Sequence, residues 1–183
     1  MMSIETQIDE LIGREGGYSD HPADRGGPTR WGVTEQVARA YGYKGDMRAL
    51  PRTTAADIYR QRYWLQPRFD QVAAVSPALG EELFDTGVNM GPAVAAKFLQ
   101  HALNALNRQA SDYPDIAEDG QIGAMTIAAL KGYAAKRGAA GLRVLIRAVD
   151  ALQAARYMEI AAKNPSQEAF LYGWLLNRTG PLA

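Results

Sequence analysis

Apolar residues recur every three or four positions along nearly the whole chain, and that spacing restricts it to a fold of packed helices. Ser3 opens the first stretch as an N-cap, Ile4, Ile8, Leu11 and Ile12 share one face, and Gly16-Gly17 ends it. Thr34 caps a short helix through residue 41, and the turn signal Leu50-Pro51 precedes a further helix over 54–64. Ser76-Pro77 reads as an N-cap followed by proline in the first turn, opening a helix through Leu79, Leu83, Phe84 and Val88. Asn89-Met90-Gly91-Pro92 interrupts the pattern and starts another helix, where Val94, Phe98, Leu99, Ala102, Leu103 and Leu106 form a wide stripe. Beyond the polar stretch 108–123, the spacing predicts helices over 124–135, 139–163 and 166–178. Leu142, Leu145, Ile146, Val149 and Leu152 face inward on the second of these; Phe170, Trp174 and Leu175 lie on the last.

One segment breaks the rule. Residues 14–34, REGGYSDHPADRGGPTRWGVT, contain five glycines, two prolines and hardly any aliphatic side chain. Loops of this length in compact domains are usually functional or disordered, and the aromatics Tyr18 and Trp31 argue against disorder. Glycine turns around Tyr18 and around Thr29 to Val33 suit a small hairpin. The expected fold is therefore mainly α, with a glycine-rich loop or hairpin near the N-terminus.

Composition narrows the function. Twenty basic residues balance twenty acidic ones, so no net field steers the chain to nucleic acid or to a membrane surface. Cysteine is absent and His21 and His101 are the only histidines, which argues against thiol nucleophiles, disulfides and a metal cage. No cofactor is expected, and a monomer is. The start, MMSIETQIDELIGREGG, lacks the basic and apolar regions of a secretory signal, and no apolar run is long enough to span a bilayer. The expectation is synthesis in the cytoplasm without stable membrane insertion.

The groups that chemistry would use gather in the exceptional segment. Glu15 extends the Ile8, Leu11, Ile12 stripe, so its carboxyl should project from the inward face. Burial and the negative end of the helix macrodipole would both favour the neutral form, as a general acid needs. An ordinary helix-end glutamate paired with Arg14 fits the same spacing. Asp24, nine residues on, could face Glu15 across a cleft and hold a water for attack on a glycosidic bond, or could bond its own backbone in a turn. The Thr29 hydroxyl could help position that water or merely cap a turn. Tyr18 and Trp31 offer flat faces for sugar rings, as does Tyr63, with Trp64, at a helix end; aromatics at helical spacing are more often core. Asn89 could hydrogen-bond an acetamido group or support its loop.

These residues carry a resemblance. Glu15-Gly16-Gly17-Tyr18 followed by Asp24-Arg25-Gly26-Gly27-Pro28-Thr29-Arg30-Trp31-Gly32-Val33-Thr34 is similar to the EGGY and DxGGxTxxGIT signature of glycoside hydrolase family 108, with valine where isoleucine is usual. That family comprises N-acetylmuramidases found among phage endolysins and prophage-derived proteins. Phe84-Asp85-Thr86-Gly87-Val88-Asn89-Met90-Gly91 resembles its FDxxVNxG segment. The run 96–104, Asp119-Gly120-Gln121-Ile122-Gly123 with Thr126, and Phe170, Gly173, Trp174 and Arg178 resemble an attached peptidoglycan-binding part.

The resemblance implies a lysozyme-like helical fold, with a catalytic region over 1–91 and a peptidoglycan-binding region over 92–183 packed against it. It implies hydrolysis of the β-1,4 bond between N-acetylmuramic acid and N-acetylglucosamine in peptidoglycan glycan strands. Glu15 would be the acid, and Asp24, with Thr29, would serve the water or the developing charge. Action would be on the cell wall in the periplasm, after holin-type release. A lytic transglycosylase and a non-catalytic peptidoglycan-binding or secretion-associated protein are the alternatives. An intact Glu15 and Asp24 argue against the binder, and a transglycosylase needs no water-holding carboxylate.

Overall fold

The computed structural model describes residues 3–20 and 27–179, and the chain groups into two compact units, Met1–Gln66 and Pro67–Ala183. The fold is mainly helical, with one small sheet.

In the first unit, α1 (Ile4–Glu15) begins where the Ser3 hydroxyl accepts the Thr6 amide at 3.2 Å and ends at Gly16, whose φ is 70°. Ile8, Leu11 and Ile12 are buried, as their spacing requires. They meet α3 (Arg52–Arg60), which buries Ala55, Ile58 and Tyr59. Arg52 pairs with Asp9 and Arg60 lies 3.8 Å from Glu5, so exposed ion pairs rim an apolar seam. Between the two helices run β1 (Tyr18–Ser19), β2 (Thr29–Arg30), β3 (Val33–Thr34) and α2 (Glu35–Tyr41), the last capped by Thr34 as expected. The strands form one antiparallel sheet in the order β1-β2-β3, a strand more than a hairpin.

The helix expected over 54–64 starts earlier and changes character. It begins at Arg52, and after Arg60 the backbone widens into a π-helical turn, Gln61–Leu65. Such a turn holds an extra residue per turn, so it redirects the side chains beyond it.

The second unit begins with α4 (Phe69–Ala73), which no helical periodicity announces, and continues with α5 (Pro77–Met90) and α6 (Pro92–Leu106). Ser76 caps α5 by accepting the Leu79 amide at 3.3 Å. Phe69, Leu79, Leu83, Leu99 and Leu103 are fully buried where these helices meet. Of the stripe expected on α6, Leu99, Ala102 and Leu103 are buried; Val94, Phe98 and Leu106 are half-buried. Gln100 is buried instead. Its amide nitrogen donates to Asp119 Oδ1 (2.9 Å), the Gln121 carbonyl (3.0 Å) and Thr126 Oγ1 (3.3 Å), while its oxygen accepts the Gly120 amide at 2.8 Å. One side chain thereby satisfies polar groups that a coil segment could not satisfy from its own backbone.

The helices expected over 124–135 and 139–163 run end to end as α7 (Ala124–Lys163), broken at Gly138, where φ is 58° and ψ is −158°. The unit closes with α8 (Glu168–Arg178), a little shorter than predicted because residues 165–167 form a 3-10 turn. Trp174 stacks on Tyr157 of α7 at 5.1 Å between ring centroids, while Phe170 remains exposed. Residues 67–91 pack within this second unit: α5 contacts α4, α6 and α7.

Candidate active site

Strands β2 and β3 are joined by only two residues, Trp31 and Gly32, with Arg30 opposite Val33. Both positions take the positive φ of a tight hairpin turn, 55° and 73°. Glycine takes this conformation freely; a tryptophan does so at a cost. Two hydrogen bonds from elsewhere in the unit hold it there: the indole Nε1 donates to the Leu50 carbonyl at 3.0 Å, and the Tyr59 hydroxyl donates to the Trp31 carbonyl at 3.3 Å. The ring is half-buried, with the Arg30 guanidinium 4.9 Å from its centroid. Arg30 Nε is buried and, among the described residues, meets no hydrogen-bond partner.

Tyr18 sits on β1 directly across from Arg30. Its hydroxyl donates to Asp20 Oδ2 at 3.0 Å, and the Arg48 guanidinium covers one face at 5.0 Å. Desolvation, aided by the Asp20 hydrogen bond, raises the phenol above its ordinary range. Tyr18 and Trp31 thus each present a ring backed by a cation, the arrangement of a polar-rimmed platform. Thr29 pairs with Ser19 and with Thr34, and its hydroxyl donates to the Gly27 carbonyl at 3.2 Å, an anchor for the end of the preceding segment.

Tyr63 lies in the π-helical turn, its ring 5.7 Å from that of Tyr59. Tyr59 therefore links Tyr63 to Trp31, a connection concealed in the sequence because Tyr59 and Trp31 are 28 positions apart. Asn89 belongs to the second unit, where its amide donates to the Asp85 carbonyl at 2.8 Å and to Asp85 Oδ2 at 3.3 Å near the end of α5. Glu15 is the last residue of α1; its side chain, and all of 21–26 including Asp24, lie outside the described residues. The structure thus gathers Tyr18, Thr29 and Trp31 on one sheet. Arg30, Arg48 and Tyr59 join them without a sequence signal.

A second set of carboxyls lies in the other unit. Glu82 on α5 is raised to about 8, by burial first and then by repulsion from Asp150 and Asp85. With its amide oriented to satisfy both neighbours, Gln153 donates to Glu82 Oε1 at 3.2 Å and to the Arg178 carbonyl at 3.0 Å. Arg178 in turn pairs with Asp85 at 2.8 Å, fastening α8 to α5.

The first unit thus sets cation-backed aromatics on a glycine-turned sheet just beyond a helix-terminal glutamate, groups suited to holding a sugar. Comparison with known proteins makes this specific. Residues 8–91 match the family Glycosyl hydrolase 108, and residues 94–179 match the predicted peptidoglycan domain. The chain thus carries a glycosyl hydrolase 108 domain in its N-terminal half and a peptidoglycan domain behind it. Among solved structures it is similar to Brucella abortus SagA, at 26% identity and a TM-score of 0.59 over 97% of each chain. No curated protein sequence matches it significantly.

Proposed function

We propose that this glycoside hydrolase is an N-acetylmuramidase of endolysin type, cutting the β-1,4 bond between N-acetylmuramic acid and N-acetylglucosamine. Glu15 protonates the leaving glycosidic oxygen, and Asp24, with Thr29, orients the attacking water or steadies the positive charge on the sugar ring. The observation that carries this reading is the location of Glu15. It is the final residue of α1, and only Gly16 and Gly17 separate it from the sheet that holds Tyr18, Thr29 and Trp31. The macrodipole disfavours a charged carboxyl in the last turn of a helix, and a general acid must keep its proton near neutral pH. Tyr18, Trp31 and Tyr63 stack sugar rings. Synthesis is cytoplasmic, and the enzyme reaches the wall through holin-type release.

Product analysis tests it. Purified peptidoglycan digested by the chain should yield muramic acid at new reducing ends. An anhydro sugar would identify a lytic transglycosylase, and no cleavage a binding protein; either overturns the proposal. Glu15→Gln should lower kcat by roughly 10²–10⁴-fold, the usual contribution of a general acid, and leave sedimentation with cell walls unchanged. Retention of most activity would remove Glu15 from the mechanism.

A further inference from the structure

The break in α7 opens a cavity of about 360 Å3, lined by Leu106, Tyr133, Arg137, Ala140, Gly141 and Val144. Its volume lies within the range of small-ligand pockets, and its walls belong wholly to the part that matches the peptidoglycan domain. Local chemistry shapes it. Gly138 turns the chain out of helical geometry, and the Tyr133 hydroxyl reaches across the break to the Gly141 carbonyl at 2.9 Å. A Cβ at Gly141 would stand 2.0 Å from Arg137 Cβ, so a bare position there lets Arg137 keep its place on the wall.

Charge then selects the ligand. The Asp112 side chain, almost fully buried beside the cavity, takes Arg108 Nε at 3.0 Å and a second nitrogen of the same guanidinium. Arg137 Nη2 stands 3.6 Å away, beyond hydrogen-bonding distance, and among the described residues no hydrogen bond occupies its guanidinium. Two guanidiniums thus pair with one carboxylate, and Arg137, the one that lines the cavity, holds it by charge alone and keeps its hydrogen-bond donors for a ligand. Beside it lie Val144, Ala140 and Leu106, apolar and small enough for methyl-sized groups. The only aromatic on the wall, Tyr133, is 2% exposed and presents no face on which a pyranose could stack.

Peptidoglycan offers two chemistries: an uncharged N-acetylated glycan, and peptide stems rich in carboxylates and alanine methyls. We infer that the cavity at the α7 break binds the acidic peptide stem, with Arg137 receiving a stem carboxylate in the planar two-point geometry that guanidinium favours. The inference rests on the reading of this chain as a peptidoglycan hydrolase and adds a second, glycan-independent contact to it.

The test uses the full chain carrying Glu15→Gln, titrated calorimetrically with free Ala-γ-Glu-diaminopimelate-Ala and separately with chitotetraose. The tetrapeptide should bind. Adding Arg137→Gln should weaken it by about tenfold or more, the size of one charge-assisted hydrogen bond, while chitotetraose affinity stays constant. Val144→Trp, at a half-exposed site on the mouth, should block the peptide in the same way, and unchanged thermal unfolding guards against a folding defect. No tetrapeptide binding, equal binding by both variants, or loss of chitotetraose instead would overturn the inference. Tetrapeptide binding by a chain that cuts no glycan would sink the hydrolase reading alone; glycan cleavage without tetrapeptide binding would sink this one alone.

Discussion

Replacing Glu82 with glutamine should make the protein more stable, and by an amount that depends on pH. In the folded chain this carboxyl is raised to about 8 by burial and by the neighbouring Asp150 and Asp85, against 4.5 for an unhindered glutamate. Between those values the folded state binds more protons than the unfolded one, so stability is greatest below 4.5 and is lost as pH climbs toward 8. At about 1.4 kcal/mol per pH unit, the loss at pH 7 comes to about 3 kcal/mol, and at pH 5 to about 1 kcal/mol. Glutamine has the same shape, stays neutral throughout, and keeps an oxygen for Gln153. Urea unfolding of parent and Glu82→Gln at pH 5, 6, 7 and 8 should show the variant's advantage growing from about 1 toward 3 kcal/mol or more, since titrations common to both chains cancel. Thermal midpoints at pH 7 should differ by roughly 6–12 °C for a chain of this size. A variant that is less stable than the parent at pH 7, or an advantage that does not change with pH, would show that Glu82 is ionised and well paired in the folded state.

Other outcomes are set by the same contacts. Asp24→Asn should cut kcat while leaving KM within a few-fold, measured on soluble glycan fragments; a change confined to KM would count against its part in the reaction. Trp31→Phe keeps a ring but frees the Leu50 carbonyl, so stability should fall by roughly 1 kcal/mol with little change in KM. Trp31→Asn, which tolerates positive φ, should keep the turn and raise KM. Gln100→Ala strands the Gly120 amide and the oxygens of Gln121 and Thr126, and should cost about 2–4 kcal/mol in urea unfolding.

Helices with their own start signals were legible. Ser3, Thr34 and Ser76 each accept the amide three residues on, because a hydroxyl ahead of an apolar periodic run has few better uses. Elements without local signals were hidden. α4 spans five residues, too few to display a period, and the π-helical turn after Arg60 alters the backbone without altering the apolar spacing. Gln100 reads as a polar intruder on an apolar stripe, since its partners lie 19 to 26 residues away. That Tyr18, Thr29 and Trp31 come together on one small sheet could be read from the glycines that turn the chain around them. Arg30, Arg48 and Tyr59 could not, because a cation over a ring and a hydroxyl reaching a distant carbonyl are products of tertiary packing. Roles for Glu15 and Asp24 rest on motif and position, since Asp24 and the Glu15 side chain lie outside the described residues.

The allegiance of α5 bears on how enzymes of this kind can be recombined. By sequence it is the tail of the hydrolase match; by packing it is a wall of the unit that begins at Pro67. Severing the chain at the seam between the two family matches would leave Leu79, Leu83 and Phe84 facing water. A chimaera that exchanges one wall-recognition module for another must therefore splice upstream, near residue 66, and carry the helix along with its hosts.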